Sequence, residues 1–302
     1  MKHSFKLSIF LLFTTCYQVF AQTNVLNTRI QEIIASKHAK VGLAIKGPGI
    51  KDTLFINGDQ HFPLQSVFKF HIALAVLSQV DKGKLSLSQK IKITKKDLIP
   101  GLYSPIRDRY PSGVTLPLSE ILAYTVSQSD NVGCDVLLRM IGGPGFVEKY
   151  CNHLGIQDVS IKINEEEQQS NWNSQFKNWT TPKAANKILE LFYSDENNLL
   201  SKKSHQFIWK VMRETKTGEG RLRGQLPTKT IVAHKTGSSG TNKQGITAAV
   251  NDIGVISLPD GSHYFISVFV TESTENAATN EKIIADINKA AWNYFTGKNK
   301  TF

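Results

Sequence analysis

Residues 63–70 read PLQSVFKF and place a serine and a lysine, Ser66 and Lys69, three positions apart in an almost wholly apolar run. Residues i and i+3 lie on the same face of a helix, so Lys69 would reach the Ser66 hydroxyl from one turn away. Burying an ammonium group is costly unless a partner or deprotonation compensates for its charge. The pair therefore predicts a serine nucleophile with lysine as its base, although a lysine that extends its amine to solvent would also fit.

The helix that this pair opens is predicted over 67–83, because its residues are apolar on nearly every face and Gly83 can end it. A helix with this pattern is expected at the centre of a domain. Ser66 would stand at the helix N-terminus, where the dipole and free N–H groups favour developing negative charge.

The β-rich runs fall near the two ends of the chain, at 40–47, 51–58, 230–237, 247–258 and 263–271. The stretch between them has mostly helical patterns. We therefore expect an α/β (α+β) fold, with an antiparallel sheet flanked by helices and formed from residues 22–62 and 206–302. An all-α lobe of residues 63–205 would be inserted into it, and a cleft between the two lobes would suit a binding site.

The first 21 residues have the features of a secretory signal peptide. Lys2 and Lys6 precede an apolar run that continues to about Phe20, and Ala21 ends a possible cleavage site. We expect a periplasmic or secreted protein with no stable membrane association. The net charge of +11 comes without any run of five basic residues, so no nucleic-acid partner is predicted.

Two cysteines, Cys134 and Cys151, lie beyond the predicted signal peptide. In an exported protein they could form a disulfide, but their apolar helical contexts fit two buried thiols equally well. The histidines and cysteines do not have the spacing of metal ligands. The sequence therefore predicts neither a metal site nor a cofactor.

Two more motifs follow the Ser-x-x-Lys pair: Ser-Asp-Asn at 129–131, at the start of a predicted helix, and Lys-Thr-Gly at 235–237, on a predicted strand. These three motifs in this order are the signature of class A β-lactamases and penicillin-binding proteins. The chain thus resembles the serine β-lactamase and penicillin-binding transpeptidase superfamily over nearly all of its expected mature length.

The resemblance implies an acyl-enzyme mechanism. Ser66 would attack the lactam carbonyl, and Ser129 would pass the proton to the leaving nitrogen. The backbone N–H groups of Ser66 and Ser238 would form the oxyanion hole. Asn131 would bind the acyl side-chain amide of the substrate.

The resemblance also implies a site for the substrate carboxylate. Lys235, Thr236 and Ser238 would bind this carboxylate, and Arg221 corresponds to an arginine that supports the binding. Tyr103 would flank the cleft and stack on the substrate; the alternative is that it only packs between the lobes.

Rapid hydrolysis requires a base that activates water for deacylation. In class A this base is a glutamate on an Ω-loop, which corresponds here to residues from about 160 to 180. Glu165 follows Ser129 by 36 residues and has the matching position. Its neighbours Glu166 and Glu167 compete for the assignment, and three consecutive glutamates also fit a solvated acidic patch.

Three features depart from the commonest class A pattern. Gln169 stands where an asparagine usually helps to hold the water, Asp135 replaces another asparagine, and a long segment, 103–118, precedes Ser-Asp-Asn. These features resemble a class A subgroup of cephalosporinases and extended-spectrum enzymes from Bacteroides-type bacteria. We expect Asp135 to hydrogen-bond the region of Asn178 and to fix an altered Ω-loop.

These observations predict a monomeric class A β-lactamase that takes small-molecule β-lactam substrates and inhibitors. Its activity is expected to lean towards cephalosporins or to have an extended spectrum. A D-Ala-D-Ala carboxypeptidase or other penicillin-binding protein would share the three motifs but would have no need for Glu165. A β-lactam sensor domain that is acylated without turnover is the remaining alternative.

Overall fold

The computed structural model describes residues 25–49, 51–194 and 199–297. The predicted signal peptide at 1–21 lies outside these residues. Within them, no helix has both the length and the apolar character needed to cross a membrane.

In the part of the chain that the structure describes, ten strands form three sheets. In chain order they are β1 (Lys40–Lys46), β2 (Thr53–Ile56), β3 (Phe62–Pro63), β4 (Lys90–Ile93), β5 (Val114–Pro117), β6 (Val159–Ser160), β7 (Trp179–Thr180), β8 (Val232–Ser238), β9 (Val250–Ser257) and β10 (His263–Thr271).

The α-helices lie before, between and after these strands. In chain order they are α1 (25–35), α2 (Phe68–Asp81), α3 (Pro105–Arg109), α4 (Leu118–Ser127), α5 (Asn131–Ile141), α6 (Pro144–His153), α7 (Glu165–Gln169), α8 (Pro182–Ser194), α9 (Lys202–Arg213) and α10 (Ala277–Phe295).

The large sheet combines strands from both ends of the chain, in the order β2-β1-β10-β9-β8. All of its pairings are antiparallel, and β1 joins the two halves by pairing along its whole length with β10. The predicted fold class, an antiparallel sheet flanked by helices, is confirmed. Strand β8 carries the Lys-Thr-Gly motif and lies at the sheet edge, so alternate backbone N–H groups point away from the sheet.

Helix α2 lies at the centre of the larger hydrophobic core, as its apolar sequence predicts. Twelve of its 14 residues are buried, including Lys69. The chain leaves the helix at Gly83, whose φ of +72° is accessible to glycine at little cost. The other end of the helix, at Ser66, packs next to β8.

A second core lies on the other face of the large sheet, where α1 and α10 pack. Helix α8 comes from the middle of the chain but packs against β1 and β10. The pair β4–β5 and the small sheet β3-β7-β6 were not predicted, since strands of two to four residues give too short a pattern to recognise.

Candidate active site

One cleft, with a volume of about 490 Å³, brings together residues from distant parts of the chain. Eight of the predicted site residues line it: Ser66, Tyr103, Ser129, Asn131, Gln169, Arg221, Thr236 and Ser238. Three further predicted residues lie beneath its surface, since Lys69 and Lys235 are 0% exposed and Glu165 is 1% exposed.

The nucleophile lies on a single 3-10 turn, Gln65–Val67, which runs directly into α2. The segment before Ser66 is tied to the large sheet by Asn251 of β9. Its side-chain amide donates to the carbonyls of Pro63 at 2.7 Å and of Leu64 at 3.2 Å. This contact joins residues 188 positions apart and was not predicted from the sequence.

Backbone conformation is unusual around the nucleophile. Gln65 has a φ of +46° and Ser129 a φ of +59°, values that non-glycine residues adopt at a cost and that often occur at functional sites. Strand β8 also approaches closely, because a Cβ on Gly237 would lie 2.7 Å from the carbonyl oxygen of Leu64. Glycine at this position lets the edge strand form one wall of the cleft.

Lys69 is the centre of the polar network. Its Nζ donates to Ser66 Oγ at 2.8 Å, to the Ser129 carbonyl at 2.9 Å and to Asn131 Oδ1. A Glu165 carboxylate oxygen lies 2.7 Å from the same nitrogen. Lys69 thus has a compensating anion and three acceptors, so the alternative of an amine extending to solvent is wrong.

Burial distinguishes the three consecutive glutamates. Glu165 is 1% exposed and its carboxylate lies 3.4 Å from Ser66 Oγ, whereas Glu166 and Glu167 are exposed. Gln168 donates to the other carboxylate oxygen of Glu165 at 3.3 Å, and Asn178 donates to Gln168 Oε1 at 3.2 Å. The acidic-patch alternative therefore describes two of these glutamates, and the geometry selects Glu165 as the candidate base.

Gln168 is a site residue that the sequence analysis missed. It is fully buried and lies one helical turn after Glu165, a spacing that could have identified it. Gln169, which was expected near the water, is exposed and lines the cleft instead.

The prediction that Asp135 hydrogen-bonds the region of Asn178 is wrong. Its two carboxylate oxygens accept the backbone N–H groups of Glu165 at 2.8 Å and Glu166 at 3.0 Å. Asn178 instead accepts two backbone amides at 162–163. Asp135 lies on α5, next to the N-terminus of α7, where unpaired amides are available and favour an anion. Burial raises the pKa of Asp135 to about 6, against the effect of the bond from the Glu165 amide.

Cationic side chains lie in or just beneath the opposite wall of the cleft. Lys235 Nζ donates to Ser129 Oγ at 3.1 Å and to the Thr236 carbonyl at 2.8 Å. Arg221 donates to Ser238 Oγ at 2.7 Å. These contacts bring together the residues that were expected to bind a carboxylate.

The surroundings of Lys235 disfavour the charged form of its side chain. Burial lowers its pKa well below the ordinary value, and the nearby positive charge of Lys69 lowers it further. The carboxylates of Asp252 and Glu165 act in the opposite direction. A bound anion would favour the charged form of Lys235. This wall of the cleft is therefore suited to binding a carboxylate.

Tyr103 is 56% exposed at the rim of the cleft, so packing between lobes does not account for it. The two cysteines are both buried and free, so the alternative of two buried thiols is correct. Burial also raises the pKa of both Cys134 and Cys151, which makes the thiols poor nucleophiles.

Comparison with known proteins agrees with this geometry. The chain matches the beta-lactamase enzyme family over residues 25–295. It is 56% identical over 287 residues to the beta-lactamase VEB-1 of Pseudomonas aeruginosa, covering 95% of this chain and 96% of that protein. It is 41% identical over 279 residues to the extended-spectrum beta-lactamase PER-1 of the same organism, with 92% and 90% coverage. A crystal structure of a beta-lactamase from Chitinophaga pinensis is 50% identical and has a TM-score of 0.86, over 89% of this chain and 98% of that chain.

The chain therefore belongs to the beta-lactamase enzyme family. It is a class A serine β-lactamase, a hydrolase that acts on β-lactams and provides antibiotic resistance. The carboxypeptidase and sensor alternatives are not favoured.

Proposed function

We propose that the chain hydrolyses β-lactams through an acyl-enzyme on Ser66, with water activated by Glu165. The observation that carries this mechanism is the position of the buried Glu165 carboxylate, 3.4 Å from Ser66 Oγ and 2.7 Å from Lys69 Nζ. A penicillin-binding transpeptidase needs the serine and the lysine but has no use for this carboxylate.

In the acylation step, Ser66 Oγ forms a bond to the lactam carbonyl carbon and loses its proton to the network of Lys69 and Glu165. Both groups are within reach of Oγ, so the network offers two routes for the proton. The backbone N–H groups of Ser66 and Ser238 stabilise the oxyanion. The Ser239 amide donates to the carbonyl of Ala249, the residue before β9, at 2.9 Å. Amides alternate in direction along a strand, so the Ser238 amide points to the open edge.

Collapse of the tetrahedral intermediate breaks the lactam C–N bond, and Ser129 delivers a proton to the leaving nitrogen. Its hydroxyl accepts from Lys235 at 3.1 Å, and its carbonyl accepts from Lys69 at 2.9 Å. Ser129 is thus held between two lysines, and Lys235, which contacts the hydroxyl itself, can replace its proton.

In the deacylation step, Glu165 takes a proton from water as the water oxygen bonds to the ester carbon. The bond from the carbon to Ser66 Oγ then breaks, and Oγ takes back a proton from the network of Glu165 and Lys69, which restores the free enzyme. Gln168 orients the carboxylate, and Asp135 holds the backbone at Glu165. The proposed mechanism uses side chains, backbone amides and water.

The substrate is oriented by the cationic wall, which carries Lys235 and Arg221, and by the rim of the cleft. The substrate carboxylate binds Lys235, Thr236 and Ser238, with Arg221 fixing the Ser238 hydroxyl. The acyl amide binds Asn131, and the exposed ring of Tyr103 stacks on the substrate. A preference for cephalosporins or an extended spectrum is supported by the name of PER-1, an extended-spectrum enzyme with 41% identity.

The organisation around the site is also part of the proposal. Residues 22–62 and 206–302 would form one lobe and residues 63–205 the other, with the Ω-loop at about 160–180. The enzyme would act as a monomer in the periplasm or outside the cell after cleavage near Ala21, and would bind no nucleic acid.

The test follows a chromogenic cephalosporin over many turnovers of purified mature protein. Steady-state hydrolysis is expected, and a single stoichiometric burst would contradict the proposal. Glu165→Gln should then accumulate acyl-enzyme on Ser66, visible by mass spectrometry of the intact protein. The matched control Glu166→Gln should turn over normally; a trapped ester in the control instead would assign the base to Glu166.

A further inference from the structure

A buried histidine–aspartate pair lies on the face of the large sheet opposite Lys235. His234 Nδ1 is 2.9 Å and 3.0 Å from the two carboxylate oxygens of Asp252, and the residues are 1% and 0% exposed. In the β8–β9 register Asp252 stands directly opposite Thr236. Side chains alternate along a strand, so His234, Thr236 and Asp252 share one face and Lys235 points from the other.

The carboxylate also holds a second segment of the site. One oxygen of Asp252 accepts the backbone N–H of Leu222 at 3.2 Å. Leu222 directly follows Arg221, whose guanidinium donates to the Gly237 and Asn251 carbonyls, each at 3.0 Å. A single buried anion therefore contacts the residue before Lys235 and the residue after Arg221.

The histidine acts as a donor in this arrangement. Its Nε2 is buried and, among the residues that the structure describes, has no hydrogen-bond partner. A proton on Nε2 would be buried without an acceptor, so the ring carries its proton on Nδ1 and donates it to Asp252. The main chain at His234 is fixed as well, because Thr215 Oγ1 donates to its carbonyl at 2.7 Å.

We propose that Asp252, through His234 and the Leu222 amide, is a positioning residue that aligns Lys235 and Arg221 for the substrate carboxylate. The proposal rests on the role in carboxylate binding that is proposed above for these two cations. Asp252 hydrogen-bonds neither Lys235 nor Arg221 and acts through the chain segments that bear them.

The charge of Asp252 has a further consequence for Lys235. The charged groups around Lys235 are Lys69 from α2, Glu165 from α7, Arg221 from the segment before β8, and Asp252 from β9. Asp252 and Glu165 raise the pKa of Lys235, and the two cations lower it. Removing the Asp252 charge should therefore let Lys235 lose its proton at a lower pH.

The experiment measures kcat and KM of Asp252→Asn with a cephalosporin and with the same compound as a carboxylate ester. The substitution keeps the shape and one acceptor oxygen but removes the charge. We expect KM for the free acid to rise about tenfold, the effect of roughly one pKa unit, with kcat nearly unchanged. The high-pH limb of the KM profile should move to lower pH, and the ester should be hydrolysed as by wild type.

The controls separate this proposal from a structural effect and from the proposed function. Glu214→Gln, which removes an exposed carboxylate 3.9 Å from Lys210, should change nothing. Equal losses for acid and ester, or an unchanged KM and pH profile, would overturn the role of Asp252. A wild-type enzyme with no preference for the free acid would overturn it too, whereas loss of all turnover in wild type would refute the proposed function itself.

A second pair of variants covers failure of Asp252→Asn to fold. His234→Asn retains a donor near the position of Nδ1 and should keep the wild-type KM for the free acid. His234→Leu removes the donor and should raise that KM about tenfold. Identical behaviour of the two variants would contradict the proposal.

Discussion

Asp135→Ala tests how the loop that carries the deacylation base is held. The wild-type carboxylate accepts two adjacent amides, those of Glu165 and Glu166, at 2.8 Å and 3.0 Å. Alanine removes both acceptors and leaves two N–H groups of the first turn of α7 without them. The catalytic side chains Ser66 and Lys69 belong to another segment and keep their hydrogen bond to each other.

The size of the effect follows from those two bonds. A hydrogen bond to a charged group contributes about 1.5–3 kcal/mol, and relief of the burial cost of Asp135 offsets part of the loss. We therefore expect a net loss of about 2–4 kcal/mol in the free energy of unfolding. A displacement of Glu165 by about 1 Å would slow deacylation by about 100-fold, while acylation of Ser66 should change much less.

Stopped-flow kinetics with a chromogenic cephalosporin separate the two steps. The variant should show a burst equal to the enzyme concentration, followed by slow turnover, and mass spectrometry should find the acyl-enzyme during that phase. The control Asp59→Ala removes an exposed carboxylate that pairs with Lys183 at 2.7 Å, and should behave as wild type. Unchanged deacylation and stability in Asp135→Ala would refute the reasoning.

Three other predictions follow from named contacts. The folded-state pKa of Asp135, about 6, lies above its usual value of 3.8, so the folded protein holds the Asp135 proton more tightly than the unfolded chain does. This proton stabilises the fold at low pH, and the stabilisation is lost as pH rises through that range. Wild type should therefore lose about 2–3 kcal/mol of unfolding free energy relative to Asp135→Asn between about pH 4 and pH 7, measured by urea titration; a constant difference would contradict this. Gly237→Ala would place a Cβ 2.7 Å from the Leu64 carbonyl oxygen, and should cost about 1–3 kcal/mol in stability and lower kcat/KM; calorimetry and kinetics that match wild type would count against the close approach. Because Cys134 and Cys151 are free, dithiothreitol should change Tm by less than about 1 °C, whereas loss of a disulfide would lower it by several degrees.

The sequence predicted best what is local. Ser66 and Lys69 are one turn apart, and the three motifs have the helix and strand contexts that were expected of them. The sheet followed from β-rich runs that are bounded by turn residues. The short strands β3 to β7 were missed because their pairing depends on neighbours that no pattern of two to four residues specifies.

The polar partners that hold the site could not be predicted in the same way. Asn251 and Pro63 are 188 positions apart, and Asp135 and Glu165 are 30 apart. Asparagine and aspartate occur on most protein surfaces, so the residue type alone does not reveal a buried contact. The error about Asp135 has this origin: the residue was correctly associated with the loop, but its partners are backbone amides, which every sequence provides.

The choice among three glutamates shows how a single buried charge can specify an active site. Lys69 is fully buried, and its ammonium requires a compensating anion within the protein. Glu165 is that anion, and it can serve only if the first turn of α7 brings it inwards and leaves Glu166 and Glu167 outside. The ion pair that stabilises the fold is therefore also the pair that moves protons, so a substitution at Glu165 changes stability and turnover together.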